Sequence, residues 1–440
     1  MKRKPLLPLW ITSALLLMCV FSIPAFGIQP YKPAVISYPD RYGHVRIYVF
    51  AVADKGVLVT NFWSDVSGQW QWQWADLDLP PRANSISNPS ALTYQDAVGN
   101  QRIYVFAEGD NGHLVVSHWD GNNWSWDDQS LSPGQTPIGP NVANTPTAIT
   151  DVDGLGRRRI FVFATDHLAN LWVNYCIGTC DSFGANWQWS NLSTGYLNSA
   201  PIYSPTAVPF TARDGSRRIY VFGNGRNFNL LAVHWDGAPP WQWVDLKTPS
   251  GHTLFDIPAA IESFTSEPGS QPPCNALLVF DSHNQVSDDG YHVANQACGD
   301  TFFSLGSSWS DENLLRQMQL WPFGGFGLDP SAVSYVDSTD GQPRIDVLYG
   351  EIHLYLRHSI DNEISWSDHG PALNYYDLYL PSAITYEDGA GRRRVYAFVV
   401  ANVGVGGAVQ YHLMVNYCVG TTSCDDPTGR SWRWADQGTL

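Results

Sequence analysis

Residues 88–128 read NPSALTYQDAVGNQRIYVFAEGDNGHLVVSHWDGNNWSWDD. A Pro-led entry opens the stretch, an Asp/Gly turn follows, then an R-I-Y-V-F run, a Leu-led run ending in Trp, and a W-x-W pair. The same succession is traceable seven times, starting near Pro33, Pro89, Pro146, Pro205, Pro258, Pro330 and Pro381, with spacings of 56, 57, 59, 53, 72 and 51 residues. A period of this size belongs to propellers and solenoids. Within the quoted repeat, four short strands are expected at PSALTY, RIYVFAEG, HLVVSHWD and WSWDD. In the second of them Ile103, Val105 and Ala107 alternate with Tyr104 and Phe106, so both faces are apolar. A sheet wetted on one side would instead carry polar residues at every second position. Four antiparallel strands packed on both faces are a propeller blade. The expected fold is therefore all-β, a seven-bladed β-propeller of four-stranded antiparallel blades.

Composition agrees. The 19 Trp, 21 Tyr and 19 Phe beside 38 Gly and 29 Pro suit many short aromatic strands broken by turns. Lys2, Arg3 and Lys4 precede an apolar run from Trp10 to Phe21 and the small-residue site Ala25-Phe26-Gly27. Residues 1–27 read as a secretory signal peptide, and residues 28–440 as a single propeller domain. Removing three basic residues leaves 22 Lys+Arg against 41 Asp+Glu, a balance of −19. Nucleic acid is not an expected partner of such a chain. Membrane insertion is not expected either, since no later stretch approaches the ~20 apolar residues of a span. The localisation expected is secreted or periplasmic.

Beyond the leader, six cysteines fall in local pairs: Cys176 with Cys180, Cys274 with Cys298, and Cys418 with Cys424. An even count in a secreted chain implies disulfides. Two of the pairs follow the same string, VNYC, so the same hairpin tip is expected to be clamped in two repeats. No paired C-x-x-C or His cluster accompanies them, and no metal or cofactor is expected. The loop DVDGLGRRR at Asp151 alternates acids as calcium loops do, but its arginines stand where further oxygen ligands are needed. The fifth repeat is irregular, with Asn275 in place of the Arg before its second strand and an insertion, SDENLLRQMQLW, expected to form one short helix. Ring closure is expected from residues 28–32 or from packing between the first and last blades.

The blade string, Pro-x-Ala, R-I-Y-V-F and L-x-x-x-x-W-D-G-x-x-W, resembles the seven-bladed β-propeller lectins related to the Photorhabdus fucose-binding lectins. More distantly it is similar to the six-bladed fungal fucose-specific lectins. The resemblance spans residues 33–440. It implies sugar sites that use an Arg of the second strand, a Glu of the third and an aromatic. The Arg is present as Arg46, Arg102, Arg159, Arg218, Arg344 and Arg394, whereas the positions matched to the Glu hold Thr60, Val116, Val173, Ala232, Leu356 and Val415. That particular fucose site is expected to be absent.

The candidate ligand-binding residues sit in the strings HWDG: His118, Trp119 and Asp120, and again His234, Trp235 and Asp236, with Arg102 and Arg218 in the same repeats. Trp63 is read as their counterpart in the first repeat, Tyr175 and Tyr417 in the third and seventh. An aromatic face suits the C–H face of a sugar while Asp, His or Arg fixes its hydroxyls. The competing reading is that these rings seal blades together, Asp-Gly simply turning the chain. Packing is the expected role of the pairs Trp72/Trp74, Trp124/Trp126, Trp187/Trp189, Trp241/Trp243 and Trp432/Trp434. The repeated Arg could instead bridge neighbouring blades through a carboxylate such as Asp96 or Asp153.

Residues repeated in nearly every blade suit multivalent binding better than catalysis, which gathers unique groups in one cleft. The function expected is a non-catalytic, secreted, lectin-like protein with several weak sites for glycans or glycoconjugates at blade edges. The alternatives are a protein-interaction scaffold, and a glycoside-active enzyme using Asp281, His283, Asp288, Asp289 and Glu312 of the fifth blade.

Overall fold

The computed structural model describes residues 31–40, 43–66, 69–131, 137, 139–181, 183, 186–194, 202–212, 215–237, 239–247, 257–265, 274–283, 290–296, 309–312, 329–337, 341–350, 353–360, 363–372, 378–387, 393–405, 408–418 and 432–440. It is an all-β propeller with four-stranded antiparallel blades. The described strands pair into seven such sheets, each in simple chain order, spanning 34–76, 86–128, 147–191, 202–247, 259–312, 331–368 and 378–439. They are numbered here one to seven. In the quoted repeat the strands are Ile86–Gln95, Gln101–Gly109, Leu114–Trp119 and Trp124–Asp128.

The two-faced apolar pattern explains how the sheets assemble. In sheet two, Ile103, Val105, Ala107 and Val115 pack toward sheet one with Tyr48, Phe50 and Leu58. The alternate residues Tyr104, Phe106 and Val116 pack toward sheet three with Ile160, Val162 and Ala164. Every successive gap holds a cluster of this kind. The last lies between sheets seven and one, where Phe398, Leu413 and Val415 meet Ile47, Val49, Trp63 and Trp72. The first strands of neighbouring sheets also pack on one another around the ring, that of sheet seven against that of sheet one. Closure is thus by packing between the first and last sheets. Just before the first strand, Lys32 sends its Nζ to the carbonyl of Pro330 at 3.1 Å.

The W-x-W pairs are what the outer strand contributes to each gap. The first ring meets a Phe of the preceding sheet, Trp124 on Phe50, Trp187 on Phe106, Trp241 on Phe163 and Trp72 on Phe398, with centroids 5.7–5.8 Å apart. The second donates its indole N–H to the backbone carbonyl just beyond the last strand of that sheet. Trp126 reaches Leu77 at 2.7 Å, Trp189 reaches Gln129 at 2.9 Å, Trp243 reaches Leu192 at 2.8 Å and Trp434 reaches His369 at 2.9 Å. Trp74 makes the same bond to Gln437, at 2.6 Å, across the junction of sheets one and seven. One pair of residues therefore both fills the gap and latches it.

The Cys176–Cys180 disulfide is present. Cys418 is also disulfide-bonded, and Cys424 lies outside the described residues, as do Cys298, residues 1–27, Asp288 and Asp289. Of the insertion expected to be helical, Ser310, Asp311 and Glu312 belong instead to the strand Trp309–Glu312, and the rest lies outside the described residues. No described helix is long and apolar enough to cross a membrane.

Candidate functional site

Between sheets one and two, at the end of the ring where first strands turn into second ones, lies a cleft of about 1020 Å³. Sheet one contributes Tyr38, Asp40, Arg46 and Tyr48; sheet two contributes the turn Gln95–Arg102 and the tip Trp119, Asp120, Gly121 and Asn122. The turns hold their acids by local geometry. Asp40 accepts the N–H of His44 at 3.0 Å and the Arg46 guanidinium at 2.9 and 3.2 Å. In sheet two Asp96 likewise accepts Asn100 and takes Arg102 at 2.9 and 3.1 Å. Burial works to raise the Asp96 carboxyl, but the hydrogen bonds from Asn100 and Arg102 outweigh it and hold it below the usual range. Asp120 closes the next turn through the N–H groups of Asn122 and Asn123, which likewise depress its carboxyl. Arg102 also donates to the Asp120 carbonyl.

Trp119 forms the apolar side of this cleft. Its indole packs on Trp124 with centroids 5.6 Å apart and joins the cluster between the two sheets. The ring is partly buried against that cluster and also lines the cleft. Arg46 and Tyr48 line the same space. The assembly offers a flat apolar face beside donors and carboxylates, an arrangement suited to a polyhydroxylated ring.

Strand geometry separates other candidates that adjoin in sequence. His118 precedes Trp119, so it faces the opposite side. It pairs with Asp127 at 2.9 Å and lies tilted against Phe183 with centroids 4.6 Å apart, in the gap toward sheet three. His234 stacks on Tyr220 at 5.7 Å, and burial lowers its pKa against the opposing pull of its neighbour Asp236. Arg218 lies 3.6 Å from Asp236. Trp235 points the other way and is only 9% exposed. Its ring lies against Trp241 and Phe161, with the Arg159 guanidinium 4.6 Å above it. Asp151 binds Arg159 and, at 3.0 Å, Arg217 of sheet four. This gap is filled by its own side chains. The carboxylate bridging to Arg159 is thus Asp151, while Asp153 pairs with Arg157 at 2.8 Å.

Register also shifts two equivalences. Trp119 pairs with Ile103 and Trp235 with Ile219, and the residue opposite Ile160 is Cys176; on the other side Trp119 faces Trp124, as Cys176 faces Trp187 and Cys418 faces Trp432. The disulfide cysteines occupy the tryptophan position. Tyr175 and Tyr417 match His118 instead, Tyr175 bonding Gln188 at 2.9 Å and Tyr417 stacking on Tyr396 at 5.8 Å. Trp63 does share the Trp119 position, between sheets seven and one, with Trp72 at 5.5 Å. The positions matched to the lectin Glu (Thr60, Val116, Val173, Ala232, Leu356 and Val415) are buried in mid-strand. None lines the cleft, so their apolar character says nothing of what it holds. Sequence reasoning missed Tyr38, Asp40 and Tyr48. The signal was the Asp-x5-Arg spacing shared by Asp40/Arg46 and Asp96/Arg102.

Among the described residues no group of three His, Cys, Asp or Glu could hold a metal ion. Asp281, His283 and Glu312 lie on strands of sheet five, and the side chains of these three residues lie outside what is described.

No family model matches the chain, and no curated protein matches it. Among solved structures it is similar to AofleA from Arthrobotrys oligospora, with 13% identity over 76% of this chain and 86% of that one, at a TM-score of 0.45. It is also similar to the lectin of Aleuria aurantia, described as a six-bladed β-propeller with a novel mode of fucose recognition (16%, 78% and 95%, TM-score 0.45). The NanB sialidase of Streptococcus pneumoniae matches as well (10%, 81% and 80%, TM-score 0.44). At these scores the site has to be read from this chain's own side chains.

Proposed function

We propose that this protein is a non-catalytic carbohydrate-binding protein whose principal site is the cleft between sheets one and two. The observation that carries the reading is the open face of Trp119 set beside the Asp40–Arg46 pair, the Tyr48 phenol and Asp120. The indole takes the C–H face of a sugar ring. Arg46 and Tyr48 donate to ring hydroxyls, and the carboxylates accept from them. A second site is assigned to the gap between sheets seven and one, where Trp63 holds the same register position. Two weak sites on one rigid ring gain avidity toward clustered glycans.

The ring is taken as seven-bladed, a count supported by the seven four-stranded sheets and the cluster in each gap. Secretion is supported by the apparent signal peptide and by the disulfide, which persists in oxidising compartments. The test is a glycan array probed with labelled protein at high surface density. Binding to one terminal sugar class, weakened by Trp119→Ala and by Arg46→Ala in a folded chain, is the expected result. Silence across the array with the fold intact would overturn the reading in favour of a protein-binding scaffold.

A further inference from the structure

The wall that sheet two turns toward sheet three repeats the wall that sheet one turns toward the open cleft. Tyr94, Asp96, Arg102 and Tyr104 stand at the positions of Tyr38, Asp40, Arg46 and Tyr48. The Asp–Arg pair closes to 2.9 Å in both. Yet this second gap is occupied by the chain itself. After the third strand of sheet three, the Cys176–Cys180 disulfide folds the connection back across the gap. The Tyr94 phenol donates to the Gly178 carbonyl at 2.7 Å, and the Tyr104 phenol to that of Cys180 at 3.5 Å. Phe183 then lies 4.6 Å from the His118 ring, 5.3 Å from Tyr104 and 5.6 Å from Trp187, stacked on the last.

The hairpin meets this wall as a ligand would. Its carbonyl oxygens take the phenolic donors, and its one flat ring lies on the tryptophan that floors the gap. We propose that the gap between sheets two and three is a second-class carbohydrate site, closed because the Cys176–Cys180 hairpin acts as its intramolecular ligand. The proposal rests on the reading of the open cleft. With the hairpin withdrawn, the gap would present the two phenols and Arg102 as donors, Asp96 as acceptor and Trp187 as platform, a set suited to a pyranose. A tethered group acts at an effective concentration in the millimolar range or above. A weakly held free sugar therefore cannot displace it. The same position in sheet seven is Cys418, itself disulfide-bonded.

The test opens the hairpin with Cys176→Ser, Cys180→Ser and Phe183→Ala together, and titrates the parent and opened chains with a panel of methyl glycosides. One additional equivalent of bound sugar per chain is expected. It should persist in the Trp119→Ala background, where the open cleft is disabled, and vanish with Tyr104→Phe. A folded, opened chain that binds no more than the parent, while Trp119→Ala still weakens parental binding, overturns this inference and leaves the cleft reading standing. Parental binding untouched by Trp119→Ala overturns the cleft reading and this inference with it. Should the triple variant not fold, Cys176→Ser with Cys180→Ser and Phe183 kept must show the same gain, and its absence there overturns the inference.

Discussion

Asp151→Ala tests what closes the gap between sheets three and four. The Asp151 side chain is fully buried and holds two guanidinium groups, that of Arg159, 5% exposed, and that of Arg217, 32% exposed. Removing the carboxylate frees Arg217 to turn outward, but Arg159 stays in place with only the Trp235 face beneath it. A cation over a desolvated indole recovers about 2 kcal/mol at most. Breaking a buried ion pair by deleting one partner typically costs about 3–5 kcal/mol. The single variant is therefore expected to lose about that much. Arg159→Met should cost less, since Asp151 keeps Arg217 and loses one charge-assisted hydrogen bond worth roughly 1.5–3 kcal/mol. The double variant buries no charge, and it should be more stable than Asp151→Ala alone. Urea unfolding followed by tryptophan fluorescence reads all four chains, comparing midpoints at an unchanged slope. A loss below about 1 kcal/mol for Asp151→Ala, or strict additivity in the double variant, would refute the claim that the network is a desolvated unit.

Three further outcomes are expected. Trp119→Ala should weaken sugar binding about fivefold or more, since an aromatic contact of about 1 kcal/mol corresponds to roughly that factor, with the unfolding midpoint moving far less than binding does; equilibrium titration beside a melting curve separates the two. Trp126→Phe keeps the ring in the gap but leaves the buried Leu77 carbonyl without its 2.7 Å donor, a loss of about 1–3 kcal/mol in urea unfolding. For acid, Asp96, Asp166 and Asp245 titrate below their ordinary value in the fold, because hydrogen bonds outweigh the burial that works to raise them. The native state then binds fewer protons than the unfolded one, so this stability is complete above about pH 4–5 and falls as pH drops through the folded values. A melting temperature that rises on acidification from pH 5 to pH 3 would contradict the sign.

The repeat was legible because each blade solves the same problem. Ile103, Val105 and Ala107 alternating with Tyr104 and Phe106 announce a sheet covered on both sides, and the period announces a ring. The hydrogen-bonding half of the W-x-W pair was not legible, since its partner is a backbone carbonyl of the neighbouring sheet, 49 to 65 residues upstream or, for Trp74, at the far end of the chain, and carries no residue signature. The candidate site was half readable. HWDG drew attention to Trp119, but adjacent letters on a strand belong to opposite gaps, so His118 and Trp119 serve different neighbours. Aligning Tyr175 and Tyr417 with Trp119 failed by one residue for the same reason: VNYC ends on the cysteine that occupies the tryptophan position.

That one position also explains how near-identical repeats reach different ends. Where it holds Trp119, backed by Tyr38 and Tyr48, the ring is propped between two sheets and the gap stays open. Where it holds Trp235, Asp151 supplies a carboxylate inside the first strand rather than in the turn beyond it, drawing Arg159 down onto the indole and sealing the gap. Where it holds Cys176, the disulfide brings Phe183 and two backbone carbonyls into the space instead. The Asp–Arg pair lies in the turn of sheets one and two and inside the strand of sheet three, a shift of two residues in the acid from Asp153 to Asp151. Moving the acid back should undo the seal. In Asp151→Ser combined with Arg157→Ala, the buried carboxylate is lost and Asp153, released from Arg157, is left in the turn as the acid for Arg159, so Arg159 should lift off Trp235 and the indole become accessible, read as stronger quenching of tryptophan fluorescence by acrylamide. Unchanged quenching in a folded chain would mean that packing on Phe161 and Trp241, rather than the acid's position, holds Trp235 shut.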